Sequence, residues 1–200
     1  EVLDFFSGQN DLRARVLRHT STAFVEDPLR VLRGMQFAAR FELRAAPETI
    51  ALCREIKATF RELAVERVGD EWFKWAGKSF VPSAGLRFLA ETEWLEHFPE
   101  LAALRGTPQD PEWHPEGDVF THTAHCCDAL VKLPAWQAAD AETRIIWMLA
   151  VLAHDFGKPA ATHEALRDGR MRIVSPGHEE GGVAPTLKFL ERIHAPNIYL

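Results

Sequence analysis

The chain has 200 residues, 46% of them hydrophobic and 26% charged, and a formal net charge of −6. That supplies core enough for one large domain or two small ones, and the acidic balance excludes nucleic-acid binding by bulk charge, so any polyanion contact needs a local basic face. Cys53, Cys126 and Cys127 are too few for a disulfide framework, which favours a reducing, cytoplasmic setting, and the longest apolar run, Ile145 to Ala153, falls short of the ~20 residues that span a bilayer.

In chain order, the opening "EVLDFFSGQNDL" has no initiator Met and reads like the interior of a domain. The close, "ERIHAPNIYL", is equally abrupt, so the chain is expected to be a fragment. No charged segment followed by an apolar one opens it, and no signal peptide is expected. Leu12 to Arg18 fits a strand or a short helix. Asp27 and Pro28 form an N-cap and first-turn proline for a helix through "LRVLRGMQFAARF". Pro47-Glu48-Thr49 begins another through "IALCREI". "AVERVGDEWFKWAGK" and "SAGLRFLAETEWLEHF" are two further amphipathic segments.

Gly106 to Gly117 holds three prolines and two glycines and reads as a linker or long ordered loop. Helices follow around "VFTHTAHCCDALVKL" and "ETRIIWMLAVLAHDF", then a hairpin arm "DGRMRIV" and a helix "APTLKFLERI". The expected fold is mainly α, with at most short strands near the N-terminus and around 168–174.

The second half gathers His114, His122, His125, His154, Asp155, His163, Asp168 and His178. His122 and His125, spaced i, i+3, share a helix face. His154-Asp155 ends an apolar helix. Imidazoles with carboxylates and no thiolate suit an octahedral divalent metal such as Mg, Mn, Fe or Ni. Such an ion activates water and neutralises phosphate oxygens, the chemistry of phosphoester hydrolysis. Lys158 adds a point charge for a phosphate. The plain alternative is a helix end, where a His is favoured by the macrodipole and Gly157 and Pro159 are stop signals. Cys126 and Cys127 read as small core residues, and His163 as solvated surface.

In the first half Asp27, Arg30 and Arg33 recur every third residue. A neighbouring carboxylate and guanidinium can bond the Watson-Crick edge of a base, and the same residues can serve as a cap and a surface ion pair.

Two resemblances bear on these alternatives. His122-Thr123, His154-Asp155-x-Gly157-Lys158 and Gly177-His178 resemble the HD superfamily of metal-dependent phosphohydrolases. The likeness implies an all-helical fold, with His122, His154 and Asp155 as metal ligands and His178 as a second-site ligand or phosphate contact. The late Asp usual in that pattern is not seen. "EDPLRVLR…FAARF" is similar to the neck helix of class II tRNA nucleotidyltransferases and bacterial poly(A) polymerases. Asp4, Gly8, Asp11, Leu12 and Arg18 resemble the motif closing that family's head, and Pro82 to Leu89 and Leu95 to Leu101 its body.

This resemblance implies that Asp27 and Arg30, with Arg33 beside them, select CTP or ATP. The parent enzyme's partners are then tRNA and nucleotides, with no membrane, and Arg13, Arg15, Arg18, Arg40 and Arg44 lie near RNA or triphosphate. The oligomeric state stays open. Gln36 stands where an Arg is frequent. The expected domains are the end of the head (1–25), a neck and body (26–107) and an HD domain (108–200). His154, Asp155 and Lys158 are the expected catalytic residues. The Gly-Ser and Asp-x-Asp motifs of the head are absent, so the chain alone is expected to add no nucleotide. Two rival readings are a non-catalytic RNA-binding module with a vestigial HD site and a free-standing HD phosphohydrolase.

Overall fold

A computed structural model describes residues 3–196 of the chain. It is mainly helical, with two short two-stranded sheets among the described residues, and it divides into two compact units at His97/Phe98.

The first unit runs through α1 (Gly8–Arg13), β1 (Val16–Leu17), α2 (Leu29–Phe41), β2 (Arg44–Ala45), α3 (Pro47–Glu55), α4 (Val65–Lys78) and α5 (Pro82–Glu91). The ambiguous Leu12–Arg18 segment is helix and strand in turn. Arg15 sits at φ +56 between them and turns the chain, and β1 then pairs in parallel with β2. Asp27 acts as a cap from just ahead of α2, its Oδ1 accepting from Leu29 N at 3.1 Å.

α2 packs against α4 and α5. Leu32, Met35, Trp72, Trp75, Leu86 and Leu89 are all fully buried there, each worth about 1.5–3 kcal/mol if aliphatic. Gly34 and Gly85 permit the close approach. A Cβ on Gly34 would stand 2.6 Å from Phe88 Cζ, and one on Gly85 2.8 Å from the Met35 carbonyl oxygen. Gln36 is buried rather than on the exposed face of α2, so it does not set that face's charge. The segment from Ser83 to Phe98 is not one helix. Thr92 Oγ1 donates to the Phe88 carbonyl oxygen, Glu93 takes φ +64, and a 3-10 turn follows at Trp94–His97.

The second unit contains α6 (Pro99–Ala102), α7 (Val119–Leu130), α8 (Pro134–Ala138), α9 (Ala141–Ala153), α10 (Lys158–Ala161), β3 (His163–Arg167), β4 (Arg170–Val174), α11 (His178–Gly181) and α12 (Val183–Arg192). The resemblance implied divisions at 25/26 and 107/108; the described residues form two compact units that divide at His97/Phe98. Residues 3–25 belong with the first unit because β1 pairs with β2. Phe98 belongs with the second because its ring meets that of Phe189 at 6.3 Å, while Leu101 and Leu104 are fully buried. Phe156, directly after His154-Asp155, meets Phe189 at 5.5 Å.

α7 and α9 each begin on an Asp. Asp118 Oδ1 accepts from Thr121 N at 2.9 Å and Asp140 Oδ1 from Thr143 N at 2.8 Å. β3 and β4 form an antiparallel hairpin. Its two-residue turn, Asp168-Gly169, has φ +51 and +74, the left-handed pair that matches strand twist and that Asp-Gly favours. Among the described residues no helix is long and apolar enough to cross a membrane.

Candidate metal centre

Asp155 is 1% exposed, held in place by the buried Leu152, Ala153 and Phe156 around it. Four side chains converge on its carboxylate. Lys158 Nζ lies 2.8 Å and His154 Nε2 3.2 Å from Oδ2, with His122 Nε2 at 3.9 Å from the same oxygen. His178 Nε2 stands on the other side, 3.5 Å from Oδ1. Every residue expected in the metal and catalytic set of this half is therefore brought to one carboxylate.

The far ring nitrogens explain how the imidazoles are aimed. His154 Nδ1 lies 2.7 Å from the Val151 carbonyl oxygen, and His178 Nδ1 2.7 Å from that of Ser175. His122 Nδ1 lies 2.6 Å from Glu116 Oε1. A carbonyl or carboxylate oxygen can only accept, so each Nδ1 carries the hydrogen, and in the neutral ring each Nε2 is left bare. Three Nε2 atoms turned toward one buried carboxylate, each ring held at Nδ1, match histidines oriented by outer partners.

Burial pushes the Asp155 carboxyl up, but the hydrogen bonds and charges of His154 and Lys158 outweigh it and hold the group down at about 2. Burial lowers His154, yet its bonds to Asp155 and the Val151 carbonyl leave it raised. The Glu116 carboxyl is held at about 2 by its own backbone N–H and by His114, so it is an anion that only accepts.

Several contributors were not legible as such. Glu116 lies in the Gly106–Gly117 loop, where no periodicity assigns a face. Its Oε1 also takes His114 Nδ1 at 3.0 Å. The loop is ordered: Gln109 and Asp110 are buried, Lys158 Nζ donates to Gln109 Oε1 at 2.9 Å, and Arg172 Nη1 donates to Asp110 Oδ1 at 3.1 Å. Lys158 is thus committed to Asp155 and Gln109 and is not a free hand for phosphate.

Gly157 is buried against α11. A Cβ there would fall 2.0 Å from the His178 carbonyl oxygen, so only glycine lets the His154-Asp155 segment lie beside His178. His125 is exposed and does not share in the site. The residue that does is Cys126, one turn from His122, with Sγ 3.4 Å from His122 Nε2. The reading of Cys126 as core is corrected, because its side of α7 faces the histidines. Cys127 is core. His163 lies exposed on β3 and Asp168 in the hairpin turn, both outside the site.

In the first unit the side chains of Asp27 and Arg30 each bond elsewhere. Asp27 Oδ2 accepts from Arg67 Nη2 at 2.9 Å, and Arg30 donates to the Ala23 carbonyl oxygen. Arg33 Nε stands 3.5 Å from Glu71 Oε1. Burial would raise Asp27, but Arg67 and the Leu29 N–H hold it below its usual value. Arg30 and Arg33 line a cleft of about 280 Å³ with Arg18, His19, Phe24 and Phe37.

No protein-family model matches the chain. Curated relatives do. It is 41% identical over 201 residues to the multifunctional CCA protein of Halorhodospira halophila, a match covering 98% of this chain and 45% of that protein. The multifunctional CCA proteins of Chromobacterium violaceum, 39% identical over 98% of this chain, and Xanthomonas campestris, 40% identical over all of it, agree. Over nearly its whole length the chain is similar to the multifunctional CCA proteins. It covers 45%, 45% and 47% of these three multifunctional CCA proteins, a little under half of each. A solved chain described as "Structure of tRNA-processing enzyme complex 3" shares the fold. It matches 98% of this chain and 44% of its own at a TM-score of 0.52 and 19% identity.

Proposed function

We propose that the chain is the part of a tRNA CCA-adding nucleotidyltransferase that follows the polymerase head, and that its second unit is a metal-dependent phosphohydrolase of HD type. The observation that carries the second half is the set of His122, His154 and His178 rings, each tied at Nδ1 and aimed at buried Asp155 through Nε2. The donor set fits a divalent ion such as Mg, Mn or Ni, with His122, His154 and Asp155 holding it. When bound, the ion lowers the pKa of a water and neutralises phosphate oxygens.

The chain's own residues supply the rest. Glu116 orients His122, the Val151 and Ser175 carbonyls orient His154 and His178, and Lys158 offsets the charge of Asp155. His178, on the Oδ1 side, is placed to meet a second ion or a phosphate. The substrates are cyclic or terminal phosphates of RNA or nucleotides. In the first unit Asp27, Arg30 and Arg33 are proposed to select CTP or ATP for tRNA once the head is present, which requires Asp27 to turn from Arg67 toward the base. The free state of all three cysteines suits a reducing, cytoplasmic location.

Two measurements test this reading. Metal analysis with Mn2+ or Ni2+, alongside hydrolysis of a 2′,3′-cyclic nucleotide, is expected to show bound ion and turnover in the chain as given. Both are expected to be lost in His154→Ala, and Glu116→Gln should weaken metal affinity about 10–100-fold. Wild-type chain that neither holds the ion nor cleaves the ester would overturn the hydrolase and leave an RNA-binding module. Labelled CMP or AMP is expected to stay unincorporated when the 200-residue chain is given tRNA, and its incorporation would refute the assignment of the polymerase carboxylates to a head outside this chain.

A further inference from the structure

We propose that Cys126 is a ligand of this metal centre and that it biases the site toward ions that accept a thiolate, Zn2+, Co2+ or Ni2+, over Mg2+. The inference rests on the reading of the site as a metal centre. The donor atoms of His122, Cys126 and His154 all lie within 4.8 Å of one another. Asp155 lies beside the two histidines of this group. Cys126 Sγ to His122 Nε2 is 3.4 Å, His154 Nε2 to Asp155 Oδ2 is 3.2 Å, and His122 Nε2 to Asp155 Oδ2 is 3.9 Å.

Around a tetrahedral ion with bonds of ~2.0–2.3 Å, neighbouring donors stand roughly 3.3–3.7 Å apart. The Cys126–His122 and His154–Asp155 pairs are therefore near ligand–ligand spacing, and the thiol and the two imidazoles lie within reach of one ion. The orientation of the rings is the independent sign. His122 and His154 have Nδ1 engaged by Glu116 and the Val151 carbonyl, which turns their Nε2 atoms toward the space that the thiol also faces.

Such a donor set differs from the all-nitrogen and oxygen set inferred from sequence. A soft sulfur favours Zn2+, Co2+ or Ni2+, whereas Mg2+ takes hard oxygen ligands and keeps its waters. On binding, the S–H bond of Cys126 breaks, its proton passes to solvent, and a sulfur–metal bond forms, with no change of oxidation state. The thiolate supplies one negative charge to the ion.

The test is Co2+ titration of the full chain. Thiolate ligation gives a sulfur-to-cobalt charge-transfer band in the near ultraviolet. The wild-type chain and Cys127→Ala are expected to show the band. Cys126→Ser and Cys126→Ala are expected to lose it, with their fold checked by circular dichroism. Zn2+ affinity in Cys126→Ser should fall by more than the ~10–100-fold typical of losing an outer partner, with Mg2+ affinity unchanged. Calorimetry in buffers of different ionisation enthalpy should show an additional proton released by the wild-type chain relative to Cys126→Ser. Cobalt bound to the wild-type chain without the band, or an unchanged spectrum in Cys126→Ser, would overturn the role of Cys126 and leave the metal centre standing. Failure of the wild-type chain to bind cobalt at all would overturn both.

Discussion

Replacing Gly157 with alanine is expected to cost about 3 kcal/mol of stability, at the upper end of what overpacking a core does. The added Cβ would stand 2.0 Å from the His178 carbonyl oxygen and 2.6 Å from Gly182 N. Both are backbone atoms with no rotamer to yield, so the His154-Asp155 segment and the start of α11 must move apart. The same shift draws His178 Nε2 from its place 3.5 Å from Asp155 Oδ1. The variant should therefore unfold at lower urea and also weaken ion binding at the proposed centre. Urea denaturation with and without Mn2+ measures both, and a variant as stable as wild type would show that the two backbones do not meet at Gly157.

Asp155→Ala is expected to be the most damaging single change to the site. Lys158 has a side chain only 12% exposed and would lose its partner at 2.8 Å. Removing one member of a buried ion pair costs about 3–5 kcal/mol, because the other charge stays behind. His154 loses the carboxylate 3.2 Å from its Nε2 at the same time, and ion binding at the proposed centre should vanish.

The milder Asp155→Asn reports on pH. The carboxyl sits at about 2 in the folded chain, against an unfolded value of about 3.9. Between those values the unfolded chain binds the proton and the folded chain does not. The contribution of Asp155 is thus fully present above pH of about 4 and is lost as pH falls through about 2. In metal-free protein the wild-type chain should lose stability steeply over that window and Asp155→Asn less so, with Glu116, also held at about 2, supplying part of the slope that remains. Equal acid slopes in the two proteins would show that Asp155 is not depressed.

Much of this molecule was readable in one dimension. α2, α3, α4, α7, α9 and α12 all lie where apolar spacing and their polar or proline starts place them. The Asp168-Gly169 turn announces its hairpin. The step from apolar α9 to His154-Asp155 marks the site, because a helix buried through Met148, Leu149 and Leu152 holds whatever follows it. Spacing failed where two candidates shared one helix. His125 at i+3 and Cys126 at i+4 from His122 are both neighbours on a helical surface, and only the rotation of α7 against its surroundings decides between them. The Gly106–Gly117 loop failed differently, since without a period nothing in its sequence says which side chain turns inward.

By itself, then, the sequence determined the helices, their ends and the HD step, because those depend on local backbone preferences and on which residues must leave water. Tertiary structure alone decided that Glu116 meets His122, that Cys126 rather than His125 joins the histidines, that Asp27 turns to Arg67 rather than Arg30, and that His178 reaches Asp155 past Gly157. These contacts join segments remote in the chain, and their distances follow from how closely backbones pack, a quantity no local periodicity encodes.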